Sequence, residues 1–484
     1  MKKLSTLFFV CSILYFGGCS TFMSTSSYDP ATQRFRASID SVLSDSIFTA
    51  TDVALKIVSL DNNQVLYDHN SKKLMRPASN LKILTTSTAL CTLGKNFAIP
   101  TQVFYSGTVE DSSLNGDLYI KGYGDPDFSS DELAELVTDV KTKLGIKAIA
   151  GNIIGDASYF DDKRWGVGWM WDDEPFDFAA YNSALSINHN CVQVCVMPGK
   201  AIGDTAVVTI DPPTHYVSFE NSAVTDTTDS LVISRKYDER LNVITVNGVK
   251  KLDTVMHKEG ITVRGPELYF LTLAKEELEK QNVSVSGDPK LGTVDSTDIL
   301  VTQHLQPIDS MIVFLNKVSD NLSAENTLKI IGAETVGIPG STENGIHTVK
   351  RILSQFGVDS LSFLMVDGSG VSHYNLMTSE NYIKILKGMY NRKDVFDLFF
   401  TSLPIAGVDG SLEDRMRNSP AQGNLHAKTG TISGVSTLAG YVRTADNELL
   451  AFSMMMQNFI GSTAPYRKAQ DTIGILMAKL QGRK

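Results

Sequence analysis

The chain has 484 residues, long enough that two or more domains are expected, with apolar content sufficient for a core in each. A formal net charge of -10, from 44 Lys+Arg against 54 Asp+Glu, leaves no basic excess to hold phosphate backbones, so nucleic acid is set aside as a partner.

At the start of the chain, Lys2 and Lys3 precede an apolar run from Leu4 to Phe16, then Gly17, Gly18 and Cys19. This reads as an export signal, too short to span a bilayer. Small residues directly before a cysteine resemble the lipobox of bacterial lipoproteins, with Phe16 where an aliphatic residue is usual. That resemblance implies a signal peptide and lipobox cysteine over 1–19 with cleavage before Cys19, a lipid on Cys19 and an extracytoplasmic, membrane-tethered protein. Residues 20–30 form a polar linker. Of the remaining cysteines, Cys191 and Cys195 share an alternating run, which puts them roughly 13 Å apart, past the ~7 Å limit for a disulfide. They are expected as core thiols.

Phe35 to Phe48 carries an amphipathic helical pattern, followed by a strand from Ala54 to Leu60, a turn at Asp61-Asn62-Asn63 and a returning strand from Val65 to Tyr67. Pro77 precedes Ser79, after which Leu81, Leu84, Ala89, Leu90 and Leu93 mark a helix that stops at Gly94. From about 95 to 302 the chain is dominated by short alternating runs and turn dipeptides, a mostly β insertion with an internal division near 196: two subdomains, 95–195 plus 286–302, and 196–285. Near the end, Val435 to Val442 and Leu449 to Met456 read as buried strands, and a last helix starts near Pro465. Strands and helices from both chain ends imply one α/β domain built from 31–94 and 303–484.

Three short motifs carry the chemistry. Ser79-Asn80-Leu81-Lys82 puts a hydroxyl and an amine three residues apart on one helix face. For Lys82 to accept a proton near neutral pH its pKa must fall well below ~10.4, through burial or a nearby cation. Ser319-Asp320-Asn321 lies in a helical pattern with Leu315, Val318 and Leu322; Ser319 can relay a proton and Asn321 can hydrogen-bond an amide. Lys428-Thr429-Gly430-Thr431 directly precedes the Val435 strand. Lys428 offers positive charge to a carboxylate and is also a candidate for the cation that depresses Lys82, Thr429 offers a hydroxyl, and the N–H groups of Ser79 and Thr431 could form an oxyanion hole.

Taken singly these motifs are ordinary: a solvated helix face, a turn and a loop. Their order and combination belong to penicillin-binding proteins and class A β-lactamases. Together with Leu118-Tyr-Ile-Lys-Gly-Tyr-Gly-Asp-Pro126, Arg164-Trp-Gly-Val-Gly-Trp169, Val366-Asp-Gly-Ser-Gly370 and Leu403-Pro-Ile-Ala-Gly-Val-Asp-Gly410, the chain resembles class C low-molecular-mass penicillin-binding proteins, the D-Ala-D-Ala carboxypeptidase/endopeptidase family. Ser319 follows Ser79 by 240 residues, room for that family's inserted domains.

The resemblance implies a serine β-lactamase/DD-peptidase-like α/β fold and a serine-type D-Ala-D-Ala carboxypeptidase or endopeptidase acting on peptidoglycan stem peptides and acylated by β-lactams. It implies Ser79 as nucleophile, Lys82 as base, Ser319 and Asn321 as the second motif, and Lys428 and Thr429 as the carboxylate site. It also implies that Asp173 and Ser433 recognise the far end of a diaminopimelate side chain, while His373 stands where the family often has Arg. No metal or organic cofactor is called for: the eight histidines include no His-Glu-x-x-His, and Gly-x-Ser-x-Gly is absent. Two other readings stay open, an exported serine β-lactamase or esterase and a non-catalytic wall-binding protein. His426 reads as structural. Trp165, Trp169 and Trp171 with Phe176 and Phe178 read either as aromatic packing or as a sugar-stacking surface.

Overall fold

A computed structural model describes residues 29–483, so the export signal and Cys19 lie outside the described residues. The first helix spans Pro30–Leu43, earlier than the apolar pattern predicts, because Asp29 caps it by accepting from the N–H groups of Ala31 and Thr32, and Pro30 takes the first helical position. The pattern beyond Leu43 continues as a separate turn, Ser46–Phe48, capped by Asp45.

Five antiparallel strands form the central sheet, in the order His426–Ile432, Val435–Arg443, Leu449–Gln457, Asp52–Ser59, Val65–His69. The two chain ends therefore meet strand against strand. Alternation along the strands feeds two cores. Leu55, Ile57, Leu438, Phe452 and Met454 pack under the terminal helices with Phe35, Ile39, Ile473 and Met477. Ala54, Ala439, Tyr441 and Met455 face the other way, onto Leu84, Ile312, Tyr382 and Leu386. Because both faces are covered, Leu449–Gln457 is buried along its whole length.

Between the chain ends, a second five-stranded sheet has the order Pro289–Leu291, Ile153–Asp156, Leu118–Gly122, Ala98–Tyr105, Ile299–Pro307. Its last strand continues past residue 302. Two 15-residue helices, Ser130–Leu144 and Pro266–Lys280, cover it, the first opened by a Ser129/Glu132 capping box. Further on lie a three-stranded sheet centred on Cys191–Met197 and a four-stranded one around Val243–Lys251. Cys191 and Cys195 are buried free thiols.

Polar ties from the buried helix Asn321–Thr335 hold this region against the central sheet. The Asn326 amide donates to the carbonyls of Gly124 (3.2 Å) and Ser183 (3.1 Å). Lys329, only 1% exposed, donates to Asp161 (2.6 Å) and to the Lys163 carbonyl (2.5 Å). Removing one partner of such a buried pair strands the other. Lys329→Ala is therefore expected to cost about 3–5 kcal/mol, read as a lowered urea midpoint, and a loss below about 1 kcal/mol would contradict this account.

Candidate active site

Ser79 sits in a short turn, Ala78–Leu81, that runs directly into the helix Lys82–Thr92. Ala78 is left-handed at φ 47°, a conformation that costs a residue with a Cβ and here sets the angle at which Ser79 is presented. Two glycines allow other segments to close on this turn. An added Cβ at Gly370 would come within 2.0 Å of the Ala78 carbonyl, and one at Gly430 within 2.8 Å of the Pro77 carbonyl.

Lys82 has no exposed surface. Its Nζ donates to Ser79 Oγ (3.1 Å), Asn321 Oδ1 (2.5 Å) and the Ser369 carbonyl (2.8 Å), which uses all three ammonium protons. Burial pushes its pKa down to about 8, against the opposing pull of the Asp320, Glu325 and Asp367 carboxylates. Of the two causes the sequence leaves open, burial is the larger. Lys428 is itself fully buried, and burial together with Lys82 holds its amine well below the usual lysine range. Its Nζ donates to Ser319 Oγ (2.8 Å) and to the Thr429 carbonyl (3.1 Å).

One motif sits in local structure other than the pattern suggests, and another is more ordered than expected. Ser319-Asp320-Asn321 breaks a helix instead of lying within one. The helix Ile308–Val318 ends on a left-handed Ser319 (φ 68°), and Asp320 caps the next helix by accepting from the Ser323 N–H (2.6 Å). The break turns the Ser319 hydroxyl toward Lys428 and the Asn321 carboxamide toward Lys82. Lys428-Thr429-Gly430-Thr431 precedes the Val435–Arg443 strand, as expected, and is itself the middle of the edge strand His426–Ile432. Thr429 Oγ1 lies 2.6 Å from Ser411 Oγ, and Arg467 donates to Thr431 Oγ1 (3.2 Å).

Three segments remote in sequence thus converge on a pair of buried amines and two serine hydroxyls. A description of the D-Ala-D-Ala carboxypeptidase 3 (S13) family matches residues 35–480. The chain belongs to this family. It is similar to a D-alanyl-D-alanine carboxypeptidase of Actinomadura sp. (strain R39), 32% identical over 467 residues, covering 93% of this chain and 85% of the relative. It is also similar to the D-alanyl-D-alanine carboxypeptidase DacB of Haemophilus influenzae, at 27% identity, 86% of this chain and 88% of the relative. The structure of penicillin binding protein 4 from Haemophilus influenzae shares the fold, with a TM-score of 0.81 at 24% identity over 91% of this chain and 99% of that one. The α/β penicillin-binding fold expected from the motifs is the fold observed.

Asp173 and Ser433 are less tightly joined to this cluster. Asp173 ends the turn Trp171–Asp173, its pKa raised by burial and by Asp172 and lowered in part by His373. Ser433 is exposed beside a cavity of about 630 Å³ that Arg76, Asn458 and Ile460 also line. Sequence reasoning missed Arg76. Its guanidinium reaches His373 Nδ1 (3.3 Å) and Asn458 Oδ1 (2.6 Å), which puts a cation beside the histidine that replaces arginine. His426 stacks on Phe400 at 4.1 Å as a structural residue. Trp165 packs edge-on against Trp169, which is buried, whereas Trp171 is 70% exposed and lies against Tyr237.

Asn321 joins the amine to the inserted region, since its Nδ2 donates to the Phe178 carbonyl (2.7 Å) while its Oδ1 accepts from Lys82. Asn321→Ala is expected to lower acylation by benzylpenicillin roughly ten- to a hundredfold while costing less than about 2 kcal/mol of stability. Stopped-flow acylation and urea melts of one preparation check both; wild-type acylation in the variant would contradict the role.

Proposed function

We propose that this chain hydrolyses the bond after D-Ala in peptidoglycan stem peptides through an acyl-enzyme on Ser79, as a carboxypeptidase on free stem ends or an endopeptidase on crosslinks. One observation carries the reading: a fully buried amine, with its pKa brought down to about 8, lies 3.1 Å from a serine hydroxyl and faces a second lysine–serine pair.

In this reading Ser79 Oγ attacks the penultimate D-Ala carbonyl as Lys82 takes its proton. The N–H groups of Ser79 and Thr431 hold the oxyanion, and Ser319 returns a proton to the leaving amine. Asn321 holds the substrate amide. Lys428 and Thr429 take the terminal carboxylate. Among the described residues Lys428 has no counterion within hydrogen-bond reach, only a hydroxyl and a carbonyl, so an arriving carboxylate favours its charged form and is bound more tightly for doing so. Water then releases the acyl group. Asp173 and Ser433, with Arg76 and His373 between them, suit the far end of a diaminopimelate side chain.

β-Lactams enter the same reaction as acylating inhibitors. The catalytic body is taken as 31–94 and 303–484, with 95–302 inserted in two subdomains; the sheet formed by both chain ends supports that division. Lys2, Lys3, the Leu4–Phe16 run and Cys19 support export and a lipid anchor in the cell envelope. Among the described residues, no helix is long and apolar enough to cross a membrane.

Intact-mass spectrometry after brief exposure to benzylpenicillin tests the assignment. The parent is expected to gain one drug mass that persists, Ser79→Ala none, and Ser79→Ala is expected to lose D-Ala release from a pentapeptide at least about a thousandfold. Drug consumption without an adduct would favour a β-lactamase, and an adduct on Ser79→Ala would refute the nucleophile.

A further inference from the structure

Glu325 lies in a helix whose residues from Leu322 to Ala333 are all buried, and it is 1% exposed itself. A carboxylate there is costly unless donors surround it. Among the described residues its partners are the amides of one turn and the Ser369 side chain, not a cation. Glu325 Oε1 accepts from the N–H groups of Gly368 (2.9 Å) and Ser369 (2.8 Å), and Oε2 from Gly368 (2.9 Å).

A second buried carboxylate, Asp367, takes up the other side of the same turn, accepting from the N–H groups of Gly370 (2.9 Å) and Ser372 (2.7 Å), from Asn375 Nδ2 (2.8 Å) and from Trp169 Nε1 (3.0 Å). With its amides committed inward, the turn directs its carbonyls outward. The Gly368 carbonyl accepts from Thr85 Oγ1 (2.7 Å), and the Ser369 carbonyl accepts from Lys82 Nζ. We infer that Glu325 is a positioning residue for Lys82: it fixes the turn whose Ser369 carbonyl grips the amine, and its carboxylate shapes the field in which that amine gains and loses a proton. The inference rests on the reading of Lys82 as base to Ser79.

A clasp alone could be built from neutral groups. The charge matters because Asp320, Glu325 and Asp367 all favour protonated Lys82, offsetting part of its burial. From the remaining elements, Ser79 and Asn321 face the amine without charge, and Lys428 is the other buried amine of the site. Burial and Asp367 push Glu325 itself up to about 7, so it titrates in a range that overlaps that of Lys82. Loss of the Glu325 carboxylate lowers the Lys82 pKa further. Any rate that depends on neutral Lys82 then begins to rise at lower pH.

The test is the acylation rate with benzylpenicillin across pH, on the full chain carrying Glu325→Gln, Glu325→Asp or no change. Glu325→Gln is expected to move the acid limb about one pH unit downward and to lower the plateau roughly tenfold, because an NH2 donor then faces the Gly368 N–H where Oε2 accepted it. Glu325→Asp, which keeps the charge on a shorter arm, is expected to return the limb while the plateau stays low. A lowered plateau with an unmoved limb would mean a structural clasp only and overturns the inference, as does no change in either. Should Glu325→Gln fail to fold, Asp367→Asn takes its place, with the same downward shift expected and an unmoved limb counting against the proposal. If wild-type protein is not labelled at Ser79, the Ser79–Lys82 reading falls first, and the inference with it.

Discussion

Taking a lysine amine wholly out of water is unfavourable for its charged form, and the site around Ser79 is organised by how that cost is met. Lys82 cannot reach solvent, so each of its protons has an acceptor, one from each of three places: Ser79 on its own turn, Asn321 at a helix start and the Ser369 carbonyl on a buried loop. Each acceptor requires a segment in place. The Ser79 turn depends on the left-handed Ala78, the Asn321 position on the helix break at Ser319, and the loop on the two carboxylates that bind its amides. A surface lysine at the same spacing would keep an ordinary pKa and leave the hydroxyl beside it inert.

The central sheet brings these segments together. Its middle strands come from both chain ends and are covered on both faces, which fixes Asp52–Ser59 against Leu449–Gln457 and so fixes the edge strand that carries Lys428. On that edge, the absence of a side chain at Gly430 lets the strand close against the Pro77–Asn80 backbone, leaving Lys428 within reach of Ser319. The inserted region contributes to the same site through the Phe178 carbonyl on Asn321 and the Trp169 indole on Asp367. Rigid packing at the sheet thus sets distances at the site to a fraction of an ångström.

Much of this was legible in the sequence because chemistry and periodicity agreed there. The Ser79 to Lys82 spacing, the two long buried strands and the terminal helix each follow from a single local rule. Ser319 reads as mid-helix because the apolar spacing of Leu315, Val318 and Leu322 continues across one left-handed residue, and periodicity does not register such a break. The segment around Lys428 reads only as the lead into the Val435 strand because Lys-Thr-Gly-Thr has no apolar alternation, and its own strand is held by pairing with Val435–Arg443. What lowers the pKa of Lys82 could not be assigned, since burial depends on segments hundreds of residues apart. Glu325 and Arg76 gave no signal beyond a charge near a motif. The Ser369 carbonyl is a backbone atom and carries no residue signature at all.

The central claim is that folding itself, before any substrate arrives, lowers the Lys82 amine into a range where it can accept a proton. Carbon-13 NMR of protein labelled at lysine Cε, with Lys82→Met identifying the resonance, measures this directly. A titration midpoint near 8 is predicted for Lys82, and a midpoint at the ordinary lysine value of about 10.4 would contradict the account.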